Sequence, residues 1–474
     1  MQGLEEKRAH LFMSAECNLN CEYCYIDKND SLSGIDDEIL DEWEERGIFN
    51  KLKDNYGKPL EHIGLWGSEP TLYFEYFLEE IPDILDYFEN LNDIMVSSNF
   101  YAKDSADNLA KLVKIINNHT DRDFSIDIQT SLDGPSKITN KTRPPKEGNG
   151  KTVDHIKENL DYMLDKISNY QLRDNFTVNS KFKATVSMRY ISNMGEDKEE
   201  LINYIKFFDQ DMWAIYDQYK DDLSDSFHFS VTSGAPTLVV PGEYTAQDGK
   251  KLAQYIKNVK EIAIENQKKN NISTHFRVHR AIPGLRSVKM AERRNKSYRL
   301  QNRGFSCSMG GKGFALGTGN ESHPCHRDFL LSKDDYMELM KETNDEYKMG
   351  LLKQYRNNMI VDDKQENEYE YLRQRYVVQG WRDFAQLRFS YNYANLKFMA
   401  KIGQARGEYL EKDDMAKLLS KFLLKENLCA VENIENTGSY YLKPMVATKL
   451  WANGAFKELI KSRNELVERG IING

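Results

Sequence analysis

Long apolar runs are missing from this sequence. No segment approaches the roughly 20 apolar residues that a bilayer-spanning helix needs. The first residues also lack the charged, apolar and small-residue regions of a secretory signal. We therefore expect a cytoplasmic protein with no membrane partner.

Cysteine is scarce as well, with six residues in a chain of 474. So few thiols in so long a chain do not form the disulfide framework of a small secreted domain, which indicates a reducing compartment. The cysteines stand at positions 17, 21, 24, 307, 325 and 429, so half of them fall within one short segment. Intracellular clusters of this kind are more often metal-binding or catalytic.

An excess of basic charge is also missing. The chain has 74 acidic and 65 basic residues, a net charge of -9, and both signs are spread along its length. This predicts no nucleic-acid partner and no anionic-membrane surface. With 40% hydrophobic residues the chain can bury a large core, and its length predicts more than one domain.

Six strand-like runs alternate with amphipathic segments up to about residue 270. The runs are AHLFMS, HIGLWGS, DIMVSSN, FSIDIQTSLDGP, KFKATVSM and FHFSVTSG. Between them apolar residues recur at helical spacing, for example at Ile39, Leu40, Trp43 and Phe49. This order is typical of a parallel sheet with helical crossovers, so we predict an α/β fold built as a partial (β/α)6 TIM-type barrel.

Functional sites in such a fold lie at the carboxyl ends of the strands. The unusual segments of this sequence lie there: the cysteines follow the first run, WGSEP ends the second, SSN the third and SLDGP the fourth. We therefore expect these loops to form the site.

The alternation ends near residue 270, and we predict a first domain over residues 1–270. Residues 271–300 form a basic stretch, which we interpret as a linker. Residues 301–474 contain a glycine-rich segment followed by a tail rich in Lys, Glu and Tyr. We expect this part to be a second domain of α+β type, mostly helical.

Cys17, Cys21 and Cys24 have the spacing C-x3-C-x2-C, tight enough for one loop to direct all three sulfurs at a single metal centre. A structural zinc would need a fourth ligand, and nearby His10 falls within the first predicted strand. A [4Fe-4S] cluster on three thiolates leaves one iron open to bind something else. Purely structural cysteines are the remaining alternative.

Together with Tyr23, directly before the last cysteine, this motif resembles that of the radical S-adenosylmethionine (SAM) enzymes. The resemblance implies a [4Fe-4S] cluster on Cys17, Cys21 and Cys24, SAM at the open iron, and Tyr23 beside the cofactor. In that family the reduced cluster cleaves SAM to a 5'-deoxyadenosyl radical, which abstracts a hydrogen atom from the substrate. A reductant such as flavodoxin or ferredoxin supplies the electron.

The segment GLWGSEPTL resembles the Gly-Gly-Glu-Pro motif of the same family, with Gly67, Ser68, Glu69 and Pro70 at its four positions. Ser68 replaces the second glycine. The resemblance implies that a backbone edge at Gly67 and the Glu69 carboxylate hold the ammonium group of SAM. A tight turn after a strand is the alternative interpretation.

Two further stretches match the family with substitutions. In SLDGPSKITNKTRP the resemblance implies that Ser131 contacts SAM and that Arg143 pairs with its carboxylate, while Thr139 and Asn140 replace a His-Asp pair. In VSSNF, Asn99 matches a residue that lies near the SAM ribose, and Phe100 replaces a glycine. A common turn and a solvated arginine are the alternative interpretation.

Residues 304–329 resemble the opening of a SPASM or twitch extension, in which a β-hairpin with a glycine, here Gly319, lies between two cysteines. The resemblance implies an auxiliary iron-sulfur cluster on Cys307, Cys325 and Cys429, with His326 as a candidate fourth ligand. The alternative is an extension without a cluster. Cys307 or Cys325 would then donate a hydrogen atom to a substrate radical or simply pack in the core.

The resemblance implies a radical SAM enzyme that modifies a peptide or protein, such as a ribosomal precursor peptide, by crosslinking, epimerisation or oxidation. Only 16 residues precede Cys17, so we expect leader recognition to fall to the C-terminal domain or to a separate protein. The alternatives are an anaerobic sulfatase-maturase-like enzyme and a small-molecule radical SAM enzyme. A non-catalytic metal-binding interaction protein represents a different class.

Overall fold

The computed structural model describes eleven stretches of the chain. They are residues 8–21, 24, 35–56, 58–148, 150–184, 188–223, 225–230, 246–268, 313–316, 322–323 and 455–472. None of the helices in these stretches combines the length and apolar character that crossing a bilayer requires.

Eight strands form one sheet in the order β6-β5-β4-β3-β2-β1-β7-β8. The first six follow chain order and are all parallel: β1 Arg8–Phe12, β2 His62–Trp66, β3 Asp93–Ser98, β4 Phe124–Ser131, β5 Phe176–Lys183 and β6 Phe227–Ser230. The predicted α/β class with a parallel sheet is therefore confirmed, and the strand order is compatible with a partial barrel.

The two faces of the sheet differ in polarity. On β3, β4 and β5 every second residue is fully buried, as at Val96, Ile128 and Val178, and these residues join one core with the helices. On β4 and β5 the residues between them are polar and mostly half-buried, including Asp127 and Lys181, whose side chains form an ion pair. Period-two alternation therefore separates an apolar face from a polar one.

The crossover segments between the parallel strands are helical. Between β1 and β6 the structure has α1 Ile35–Glu45, α2 Ile48–Asn55, α3 Phe74–Tyr87, α4 Lys103–His119, α5 Ser136–Thr142, α6 Thr152–Ser168, α7 Met188–Glu196, α8 Lys198–Lys206 and α9 Trp213–Asp217. After β6 comes α10 Ala246–Lys268, and near the end of the chain α11 Ala455–Glu468. In α4, Leu109, Leu112 and Ile116 recur on one buried face, which is why this amphipathic segment packs on the sheet.

Two local predictions need correction. The fifth strand occupies Phe176–Lys183 rather than KFKATVSM, because Phe176, Val178, Ser180 and Phe182 supply the alternating buried positions. The helical segment predicted from Ile39 to Phe49 is two helices. Gly47 separates them: it is the N-cap residue of α2, and its φ of +78° is a backbone conformation that favours glycine.

Three short elements from the C-terminal part of the chain contact the same sheet and helices. Strand β7, Gly313–Leu316, pairs parallel with β1, and β8, Ser322–His323, pairs antiparallel with β7. The hairpin expected between Cys307 and Cys325 falls on this part of the chain, but its glycine and both cysteines lie outside the described residues. Helix α11 contacts α10 through Lys260, whose Nζ lies 3.0 Å from the Glu465 carboxylate.

Candidate functional site

The cysteine loop follows β1 at the carboxyl edge of the sheet. Cys21 is buried, Cys17 and Cys24 are half-buried, and all three are free thiols. The turn that leads into the loop is closed locally, since the Glu16 N–H donates to Ser14 Oγ across 2.8 Å. Tyr23 lies outside the described residues.

The loop is attached to the chain segment that follows α5. The Asn20 N–H donates to the Pro144 carbonyl across 2.7 Å, and the Lys146 N–H donates to the Asn18 carbonyl across 2.9 Å. Leu19 and Pro145 form an antiparallel bridge between these two bonds. This backbone pairing thus fixes the part of the loop that lies between Cys17 and Cys21.

The segment that resembles Gly-Gly-Glu-Pro is attached to the start of the same loop. The Ser68 N–H donates to the Ser14 carbonyl across 2.8 Å, and the Glu69 N–H donates to the Glu16 carbonyl across 3.0 Å. Gly67 has a φ of +146°, and an added Cβ would lie 2.3 Å from the Ser14 carbonyl oxygen. The close approach of these two loops therefore requires glycine at position 67.

The Glu69 carboxylate is directed into the protein. It is fully buried, and it accepts hydrogen bonds from Thr71 Oγ1 at 2.5 Å and from the Asn99 N–H at 2.6 Å. Burial raises the pKa of Glu69, and these donors oppose that rise. In this structure its side chain thus holds the loop after β3. The Ser68 hydroxyl, in contrast, is enclosed and has no hydrogen-bond partner among the described residues.

The side chain of Asn99 joins the loop after β3 to the cysteine loop. Its Nδ2 lies 3.3 Å from Cys17 Sγ and 2.7 Å from Asn18 Oδ1, and both contacts are hydrogen bonds. Its Oδ1 accepts the Tyr101 N–H at 2.8 Å. Asn99, proposed from sequence as a ribose contact, therefore touches a cysteine of the predicted cluster motif.

Arg143 lies beside Cys21 and is paired with Asp133. Its Nη2 donates to Asp133 Oδ1 across 3.1 Å, and its Nε lies 3.1 Å from Oδ2. Its Nη1 lies 3.8 Å from Cys21 Sγ, a long charge-assisted contact. Asp133 is fully buried and also accepts from Thr142 Oγ1 at 2.6 Å.

The residues that replace His-Asp have local structural tasks. Thr139 Oγ1 donates to the Gly134 carbonyl across 2.6 Å, which closes the turn after β4. Asn140 Oδ1 accepts the Val153 N–H at 3.0 Å in the first turn of α6. Ser131 is the half-buried last residue of β4, and within the described part of the chain its hydroxyl makes no hydrogen bond to the cysteine loop.

Burial keeps Cys17 and Cys21 of this loop in their neutral form. Burial raises the pKa of Cys17, and Glu69 and the neighbouring thiols raise it further. Burial also raises the pKa of Cys21, to about 12, although Arg143 opposes this shift. To ionise as ligands, these buried thiols need additional positive charge beside them, which a bound metal centre would supply.

The described residues contain no group of three or more His, Cys, Asp or Glu side chains placed to hold one metal ion. A [4Fe-4S] cluster makes a different demand, since each thiolate binds a different iron and the sulfurs stand apart around a cube. The donor set of three free cysteines on one loop fits that group. The enclosed Ser68 hydroxyl beside the loop fits a polar ligand next to it.

Sequence analysis missed two participants in this site. Asn18 accepts a hydrogen bond from Asn99, and Asp133 holds Arg143. Asp133 stood in the quoted motif, and a carboxylate ten residues before an arginine is only a weak signal for a pair. Cys307, Cys325, Cys429, His326 and Gly319 lie outside the described residues.

Comparisons with known proteins identify no family for this chain. No protein-family model matches the chain, and no curated protein matches it at a significant level.

Proposed function

We propose that this chain is a radical SAM enzyme that abstracts a hydrogen atom from a peptide substrate, such as a ribosomally made precursor peptide. One observation carries the proposal: the cysteine loop is hydrogen-bonded to each of the segments whose sequences resemble the family's SAM-binding motifs. The partners include Cys21 and Arg143, which are 122 positions apart in the chain. If these segments were common turns and the cysteines were purely structural, nothing would require hydrogen bonds between them.

A [4Fe-4S] cluster held here would supply the electron for reductive cleavage of SAM, the chemistry that starts hydrogen abstraction from the substrate. Cys17, Cys21 and Cys24 would hold three irons of that cluster.

The backbone at Gly67 and the Ser68 hydroxyl would bind the amino group of SAM, and Arg143, held by Asp133, would face its carboxylate. Tyr23, Glu69, Asn99 and Ser131 complete the proposed cofactor site, Glu69 by holding the loop of Asn99.

The polar face of the sheet supports an open, partial barrel with room for a substrate. In a closed barrel the interior is filled by layers of packed, mostly apolar side chains. Here the second face of β4 and β5 carries half-buried polar residues, among them Gln129, Asn179 and the Asp127–Lys181 ion pair. Polar groups of this kind suit the amide groups and charges of a peptide.

For the rest of the chain we propose a SPASM or twitch-like domain within residues 301–474, a linker at 271–300 and the barrel at 1–270. The β7–β8 pair supports the hairpin of that extension. A flavodoxin or ferredoxin would supply the electron, and a cytoplasmic location suits oxygen-sensitive clusters and free thiols. Cys307, Cys325 and Cys429 have two alternatives, an auxiliary cluster or an extension without a cluster in which Cys307 or Cys325 donates a hydrogen atom.

The test is the iron and sulfide content per chain after anaerobic reconstitution, measured with 5'-deoxyadenosine release from SAM. Three proteins are compared: the wild type, the Cys17/Cys21/Cys24 triple alanine variant, and a matched Cys307/Cys325/Cys429 triple alanine variant. We expect about four irons in the wild type from a single cluster, and loss of 5'-deoxyadenosine release in the first variant.

The outcomes separate the alternatives. Iron that persists in the first variant, together with a partial loss of iron in the second, would indicate an auxiliary cluster, which suits a sulfatase-maturase-like oxidation or a crosslink. Wild-type protein that binds zinc, or that binds iron without releasing 5'-deoxyadenosine, would contradict the proposal and favour a non-catalytic metal-binding protein. Turnover with free amino acids or sugars instead of peptides would favour a small-molecule enzyme.

A further inference from the structure

The orientation of the Asn99 amide is determined by its neighbours. Oδ1 accepts the Tyr101 N–H at 2.8 Å, so the oxygen must face that backbone group and the NH2 group must face the cysteine loop. The two hydrogens of Nδ2 are then directed at Asn18 Oδ1, 2.7 Å away, and at Cys17 Sγ, 3.3 Å away. An asparagine amide has only two N–H donors, and both are in use here.

The backbone around Asn99 is held from two sides. The Asn99 N–H donates to the buried Glu69 carboxylate across 2.6 Å. From α6, Asn159 Nδ2 donates to the carbonyls of Phe100 and Tyr101 at 3.1 and 2.8 Å. Phe100 is itself fully buried with a φ of +60°. The direction of the amide toward Cys17 is therefore set by the fold rather than by a mobile side chain.

Cys17 Sγ accepts a second N–H group, that of Leu19 at 3.4 Å. Cys21 has the Arg143 guanidinium beside it, with Nη1 3.8 Å from its sulfur. Two of the three thiolates of the proposed cluster thus lie next to N–H donors from this chain. Hydrogen bonds to the sulfurs are one of the factors that set the reduction potential of an iron-sulfur cluster.

We propose that Asn99 is a positioning residue that raises the reduction potential of the cluster through its N–H···S hydrogen bond to Cys17. This inference rests on the proposed function. One electron from a low-potential donor, a ferredoxin- or flavodoxin-class protein or titanium(III) citrate in vitro, converts the [4Fe-4S] cluster from the 2+ to the 1+ state. No bond forms or breaks, and one more negative charge is placed on the cluster and its thiolates.

The N–H group directed at Cys17 stabilises that added charge in a buried environment of low dielectric constant. Losing this donor should change the reduction potential more than losing an exposed donor would, because water cannot replace the lost hydrogen bond.

The experiment is an anaerobic redox titration of the reconstituted protein without SAM, followed by the electron paramagnetic resonance signal of the reduced cluster. Asn99→Asp keeps the oxygen that accepts the Tyr101 N–H and replaces the donor at Cys17 by an acceptor. We expect its midpoint potential to fall by the equivalent of at least a tenfold change in the reduction equilibrium, about 59 mV for one electron. Asn99→Ala removes the donor at Cys17 together with the contacts to Asn18 and Tyr101 but adds no acceptor or charge, so a smaller shift in the same direction is expected.

Asn117→Asp is the matched control. Asn117 is also buried, and its amide bonds the Gln171 carbonyl at 2.9 Å and the Arg173 N–H at 3.0 Å, away from the cysteine loop. The midpoint potential of the Asn117→Asp variant should equal that of the wild type. Circular dichroism and iron content verify folding and loading for each variant, and Asn99→Ala serves as the test if Asn99→Asp does not fold.

A normal wild-type signal with the same midpoint in both Asn99 variants would overturn this inference and leave the proposed function intact. An unchanged midpoint with a raised KM for SAM would overturn it too, since Asn99 would then act on SAM. If the wild type forms no reducible [4Fe-4S] cluster, the proposed function fails, and this inference fails with it.

Discussion

The Glu69 carboxylate accepts a hydrogen bond of 2.6 Å from the backbone N–H of Asn99, although the two residues are 30 positions apart. This bond joins the loop after β2 to the loop after β3. Since Glu69 also donates its own N–H to Glu16, a single residue connects three neighbouring loops at the carboxyl edge of the sheet. The candidate site is therefore one connected hydrogen-bonded unit, and the following predictions test its parts.

Gly67 controls the contact between two of these loops. Gly67→Ala places a Cβ 2.3 Å from the Ser14 carbonyl oxygen, so the backbone before Cys17 must move. We expect a loss of unfolding free energy above the roughly 1 kcal/mol of an ordinary glycine with positive φ, and reduced iron incorporation. Urea denaturation measures the loss of stability, and iron analysis measures the loss of iron incorporation.

Gly150→Ala is the control for this prediction. Gly150 has a φ of +73°, and an added Cβ there would meet nothing within 4 Å. It carries the conformational cost without the steric one. Equal losses in the two variants would show that the approach to Ser14 has no energetic weight.

Arg143 and Asp133 should stabilise the folded state as a pair, because each buried charge neutralises the other. Arg143→Gln leaves the fully buried Asp133 carboxylate without its cation, and removing one partner of a buried pair costs about 3–5 kcal/mol. The double variant Arg143→Gln/Asp133→Asn removes both charges, so it should unfold at a higher urea concentration than Arg143→Gln alone. Additive losses in this double-mutant cycle would contradict the prediction.

Phe100 occupies a strained backbone position. Its φ is +60°, in the left-handed region where a Cβ costs roughly 1–2 kcal/mol. Phe100→Ala and Phe100→Gly both remove the same buried ring, so their difference isolates the strain. We expect the glycine variant to be the more stable of the two, by about 1 kcal/mol in urea denaturation.

The same two substitutions at Phe88 provide the comparison. Phe88 is also fully buried, but its φ is -93°. Alanine should be the better replacement there. If alanine is better at both positions, then the backbone at position 100 is not strained.

His10 should make the fold sensitive to acid. Burial, with a further contribution from His62 and Arg8, lowers the pKa of His10 to about 4 from its ordinary 6.5. Between these values the unfolded chain binds a proton that the folded chain does not, so stability falls as the pH drops from 6.5 to about 4. The shift corresponds to a loss on the order of 3 kcal/mol.

His10→Gln removes this titration and keeps a polar side chain of similar length. The measurement is the difference in unfolding free energy between the wild type and His10→Gln from pH 7 to pH 4 in urea. We expect the wild type to lose stability relative to the variant across this range. A difference that does not change with pH would contradict a buried, neutral His10.

Much of the fold could be predicted from local sequence pattern. Alternating residues such as Ile126 and Ile128 predicted β4, and the run of apolar residues in α4 predicted a helix. The fifth strand was predicted over KFKATVSM, which begins five positions after Phe176, because strand-forming residues continue past Lys183. Its bounds were decided by pairing with β4, a contact between distant segments.

The sequence by itself determined the order of strands and helices, the spacing of Cys17, Cys21 and Cys24, and the position of the unusual segments after the strands. These follow from period-two and period-3.6 patterns and from residue spacing, which are local properties. Only the tertiary structure decided that Glu69 holds Asn99, that Asp133 holds Arg143 and that the Asn99 amide faces Cys17. Such contacts depend on the register of parallel strands, which brings loops from distant parts of the chain to one edge of the sheet.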